Sequence, residues 1–147
     1  MNKPAEKAPP IETQIEDFFG PVIYSYTRAQ ALADGVLVDV SEMAWEAGFK
    51  FPVALSRAAW EDYVAWTDDD SARQIHQDQS GRLWDVLWMA WVKVRVSPNA
   101  GSVLNYALLR IPRDGVATQA VKGELKVILS NGDDGEPVLT IMLPNED

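Results

Sequence analysis

The chain has no cysteine and only one histidine among 147 residues. Without thiols there can be no disulfide, thiolate metal site or cysteine nucleophile. No apolar run approaches 18 residues, so no membrane span is expected. The start of the chain lacks an apolar targeting stretch, so no secretory signal is expected and the expected location is the cytoplasm. Bases are also scarce: 13 Lys and Arg stand against 22 Asp and Glu, a net charge of −9. A direct nucleic-acid binder with that balance would work against its own field.

What remains is ordinary for a globular domain, with 47% hydrophobic and 24% charged residues. At this length one core, and so one domain, is expected. The charge is unevenly placed. Residues 11–70 hold twelve acids and three bases, residues 79–130 three acids and seven bases, and residues 131–147 five acids and no base. Two acidic blocks therefore flank a basic middle.

Residues 1–10 carry three prolines and read as a flexible tail ahead of a globular domain over 11–147. Thr13 to Glu16 and Thr27 to Gln30 fit capping boxes. The first opens a short helix ending near Phe19, and the second opens one ended by Gly35. Short strands are expected at 22–26 and 36–40. Ser41 and Ser56 are expected to cap helices over 42–47 and 57–66, joined by a connector with an apolar face. The stretch 82–96 is the most apolar, and its tryptophans read as a buried helix to about Ala90. From Val92 to Val96 the alternation of valine with Lys93 and Arg95 favours a switch to strand. Three strands follow, at 103–111, 124–129 and 138–143, with turn-rich links. Helices first and strands last predict an α+β class with a C-terminal antiparallel sheet of three to five strands.

Few residues invite chemistry. His76 has only Asp78 and the 68–70 acids nearby in sequence, with no nucleophile motif and no metal-ligand spacing, so a surface histidine is the expectation. Asp68-Asp69-Asp70 is either a helix start, with Asp70 or Ser71 as N-cap, or an acidic recognition patch or weak divalent-ion site. Residues 131–136, including Asp133, Asp134 and Glu136, lack calcium-loop order and read as a hairpin turn. Of the six tryptophans, five read as core, while Trp66 beside three aspartates suits a cationic or protein partner. Arg110, Arg113, Lys93, Arg95, Lys122 and Lys126 read as a solvated strand face, or as a basic face that binds phosphate or docks the acidic N-terminal half. The candidate partner-binding set is Trp66, Asp68, Asp69, Asp70, Asp133, Asp134 and Glu136. No catalytic residue, cofactor or metal is assigned.

Four strings, at 23–49 (IYSYTRAQALADGVLVDVSEMAWEAGF), 51–66 (FPVALSRAAWEDYVAW), 76–91 (HQDQSGRLWDVLWMAW) and 131–147 (NGDDGEPVLTIMLPNED), carry a resemblance. Over about 22–147 the chain resembles a domain family of unknown function carried on bacterial plasmids, integrative conjugative elements and prophages. The resemblance implies a mobile-DNA setting, where small acidic proteins are often anti-restriction or anti-CRISPR factors. The function expected on that ground is protein binding, as a monomer or homodimer. The partner would be a host protein or complex, such as a nucleic-acid-binding effector whose surface it occupies. Tyr24-Ser25-Tyr26-Thr27, a helix and Gly35-Val36-Leu37 also resemble the opening of ADP-ribosyltransferase-like folds. Those folds place a histidine or arginine on that first strand, whereas here Arg28 comes only after it. That alternative needs Tyr24, Tyr26, Arg28 and His76 to converge on one site. A third expectation is an accessory or self-associating protein, with the aromatics forming a dimer face and 138–142 as an exposed sheet edge.

Overall fold

The structure, a computed structural model, describes residues 26–147. The tail, the Thr13 capping box and the strand expected before Tyr26 lie outside the described residues. The class is α+β. In chain order the elements are α1 (Arg28–Ala33), β1 (Leu37–Asp39), α2 (Ser41–Ala47), β2 (Val53–Ser56) and α3 (Arg57–Ala59). Then come a π-helical turn (Trp60–Val64), α4 (Asp68–Arg73), α5 (Gln79–Arg95), β3 (Val103–Arg110), β4 (Val121–Asn131) and β5 (Pro137–Met142).

The five strands form one sheet in the order β1-β2-β5-β4-β3. The C-terminal strands make an antiparallel meander, and β2 joins it parallel to β5, so the sheet is mixed. Alternation along the strands gives the sheet two faces. Val53, Leu55, Tyr106, Leu108, Leu125, Val127, Leu139 and Ile141 point to one face and are buried there against α2, the π-helical turn and α5. Burying each of the largest of these side chains contributes about 1.5–3 kcal/mol.

Local signals place several boundaries as expected. Thr27 and Gln30 form a reciprocal capping box at α1, and Ser56 accepts from the Ala59 N–H to start α3. Gly35 and Gly48 take the left-handed conformations that end α1 and α2. Gly48 has a second duty, since a Cβ there would lie 2.7 Å from the Trp91 ring.

Five expectations are corrected. The connector leads into β2, whose four residues are all buried on an interior strand of the sheet. Strand β5 is likewise interior, so among the described residues the long free edge is β3. Helix α5 continues to Arg95 with no switch to strand. There Val94 extends the inward row of Leu83, Leu87 and Ala90, and Lys93 and Arg95 favour the negative helix end. Thr67, not Asp70 or Ser71, caps α4, with Asp70 as the reciprocal partner. Finally, α5 is not buried on most sides, because Trp84 and Trp88 lie on its solvent face.

Candidate functional site

The Trp66–Asp70 segment is built into a corner where three arginines meet. Trp66 is 6% exposed, its ring lies 4.5 Å from the Arg82 guanidinium, and its indole N–H donates to Ser71 Oγ. Arg82 is itself buried, and donates to the Val64 and Ile111 carbonyls and to Gln77 Oε1 at 3.0–3.1 Å. Burial, with Arg110 and Arg113 nearby, pushes its guanidinium down to about 10, so it stays charged at neutral pH. Arg113 pairs with Asp70 at 2.7 Å and with Glu61 at 2.9 Å. Arg110 stacks on Tyr63 and pairs with Asp62 at 3.0 Å. The Thr67 backbone N–H, then Arg113, hold the Asp70 carboxyl below its ordinary range. Asp70 is thus committed to an internal ion pair, and Asp69 to an exposed pair with Arg73.

The second acidic group lies on the β4–β5 hairpin. Asp133 accepts from the backbone N–H groups of Ala29 and Arg28, the start of α1, which hold its carboxyl below its ordinary range. Glu136 accepts from the Asp134 N–H within the turn. Beside them, the Arg28 guanidinium crosses to Thr140 Oγ1 and the Leu139 carbonyl, and Tyr26 donates to Asp34.

These two groups do not form one patch. Asp70 sits with Arg113, beyond the end of β3 that pairs with Val121, whereas Asp133 follows Asn131 at the other end of β4. Ten residue steps separate Val121 from Asn131, roughly 33 Å at a strand's rise. His76 belongs to the first end, since its neighbour Gln77 bonds Arg82 and Gln74 bonds the Pro112 and Ala117 carbonyls. It therefore does not converge with Tyr26 and Arg28. Among the described residues no three His, Asp or Glu side chains stand close enough to share a metal ion.

A different surface gathers exposed aromatics. Trp84 and Trp88 stack on the outside of α5 with ring centroids 5.8 Å apart and planes 11° from parallel. Val92 and Val96 extend the stripe, and both are exposed. Trp91 forms the boundary with an apolar groove of about 310 Å³, whose walls include Phe49, Phe51, Val94, Leu104 and Leu129. Among the described residues the only charged one lining the groove is Lys50, which also lies 4.8 Å above the ring of Trp45. Trp45 is 61% exposed. On the other side of Trp91 a shallower hollow has Arg95 as its only charged lining residue among the described residues. A chain of net −9 thus carries an aromatic surface whose hollows, among the described residues, hold cations and no acid.

This surface was missed because tryptophan in an apolar run reads as core. The available signal is angular. At 100° per residue, Leu83, Leu87, Ala90 and Val94 share one line, and Trp84 and Trp88 fall about 100° from it.

Neither the curated proteins nor the solved structures give a match to this chain. A family model described as a family of unknown function (DUF6573) matches residues 15–147, and the chain belongs to that family.

Proposed function

We propose that the chain is a protein-binding module whose contact surface is the outer face of α5 with the adjoining groove. The observation that carries this is the stacked, exposed Trp84–Trp88 pair. Large exposed apolar patches mark interaction sites, and tryptophan and arginine dominate binding energy where they become desolvated. The pair is prearranged by its own stacking, so little side-chain entropy is lost on docking. The cationic hollows suit a partner with an apolar anchor flanked by carboxylates. The resemblance to proteins of mobile elements makes a host protein the proposed partner, with a nucleic-acid-binding defence effector the first class to test.

A second reading is favoured by the net charge of −9. Here exposed acids would occupy a phosphate-binding surface of the partner. Of the acids first singled out, Asp68, Asp69 and Asp134 are exposed and make no long-range ion pair among the described residues.

One experiment separates the two. Tagged protein is used to capture partners from a bacterial host lysate, with Trp88→Ala and an Asp68→Asn/Asp69→Asn/Asp134→Asn variant alongside. The contact surface requires that Trp88→Ala lose capture, at about 2 kcal/mol or more, while melting like the parent. Loss in the charge variant alone would replace the first reading with the second. Capture unchanged in both would end both.

A further inference from the structure

We propose that β3 is a self-pairing edge that joins two copies of the chain, antiparallel about Tyr106, into a continuous ten-stranded sheet. This edge meets the groove at Leu104 but is separate from the outer face of α5, and the pairing does not depend on the function proposed for that face. Strand β3 ends the sheet, and among the described residues only β4 pairs with it. An edge is normally blunted by charge, proline, a bulge or shortness. None of these protects β3. It spans eight residues in regular register with β4, and Val103 to Leu109 contains no charged residue, proline or glycine.

The ladder shows which backbone groups are free. Leu129 N–H donates to the Ser102 carbonyl at 2.8 Å, which makes Ser102 and Leu129 a hydrogen-bonded pair. Hydrogen-bonded pairs alternate along an antiparallel ladder, so even-numbered residues of β3 bond β4. The N–H and C=O groups of Val103, Asn105, Ala107 and Leu109 therefore point away from the sheet.

Those same residues make the edge fit itself. In an antiparallel pair centred on Tyr106, Val103 lies opposite Leu109 of the second copy, and Asn105 opposite its Ala107. Both pairings set odd residues against odd, so the outward backbone groups meet as hydrogen-bonded pairs. The side chains agree as well. Val103 and Leu109 are 50% and 65% exposed, on the sheet face away from α5, and each would cover the other across the two-fold axis. No like charges meet within the strand, because Arg110 falls opposite Ser102. An isologous contact of this kind closes on itself and stops at two copies.

The test is sedimentation of the full chain over a wide concentration range, together with variants on the exposed face of β3. The parent is expected at twice the chain mass at high concentration. Leu109→Lys places a cation at both symmetric positions and removes two apolar cross-strand pairs, so dimerisation is expected to weaken about tenfold or more. Because Leu109 is exposed, the fold is not expected to change. Val103→Glu is expected to weaken the dimer similarly, and Val103→Glu with Leu109→Lys to restore it, since the register sets these residues opposite each other. Trp88→Ala is expected to leave the dimer intact. A parent that stays monomeric throughout would overturn the proposal. So would a dimer lost with Trp88→Ala and kept with Leu109→Lys, which would place self-association on the α5 face instead.

Discussion

Arg82 shows how much one side chain can hold together. Its guanidinium ties the end of the π-helical turn, through the Val64 carbonyl, to the exit of β3 at Ile111 and to the loop residue Gln77. It also lies over the ring of Trp66. Desolvating a cation is costly, and the downward push on its pKa records that cost. Removing the donors alone is costlier, because the carbonyls they serve remain in place without partners. Arg82→Met is therefore expected to lose about 2–4 kcal/mol in urea unfolding. Arg82→Lys should recover little, since one ammonium cannot span the fork. A methionine variant as stable as the parent would mean that desolvation cancels the hydrogen bonds. None of this was legible in the sequence. Trp66 read as a partner contact because acids follow it, but what buries it lies sixteen residues away.

At the scale of elements, the docking of α1 rests on a contact from far along the chain. Asp133 receives the Ala29 and Arg28 N–H groups, orphan donors that any helix start leaves open. The sign of the pH effect follows from its lowered pKa. The contact contributes fully above the unfolded carboxylate value of about 3.9 and is lost as pH falls through the lower folded value. Measured relative to the intrinsic amide rate, which itself falls in acid, hydrogen exchange in α1 should therefore accelerate selectively at low pH. Asp133→Ala should show that acceleration already at neutral pH, and equal α1 exchange in both proteins would refute the docking role. The helix itself was legible, because Thr27, Gln30 and Gly35 act within a few residues of one another. Strand β2 was not, because four buried residues have no alternation to display. The end of α5 was misread for a related reason. Val-Lys-Val-Arg-Val alternates like a strand, yet Val94 packing beside Ala90 and Leu87 overrides that preference. The acidic candidates were legible as acids and turns. Their separation to opposite ends of β4 is a property of the sheet, and local sequence cannot display it.

For the whole molecule, the acidic and basic blocks of the chain turn out to be partly each other's partners. Asp62 binds Arg110, and Glu61 and Asp70 bind Arg113, drawing the acidic first half onto the exit of β3. The remaining excess of acid acts at longer range. This contrast decides how salt should affect stability. Ion pairs at 2.7–3.0 Å lie well inside the screening length of about 8 Å at physiological ionic strength, and Arg113 and Asp70 are largely sheltered besides. Repulsion among the exposed acids acts over distances that salt does screen. The urea midpoint is therefore expected to rise with sodium chloride between low and physiological ionic strength. Urea is the proper denaturant because it adds no ions of its own. Arg113→Met should lower the midpoint at every salt concentration and leave the upward slope in place, since the slope comes from the unpaired acids. A midpoint that falls with salt would show that the arginine–carboxylate corner outweighs the self-repulsion of a chain with net charge −9.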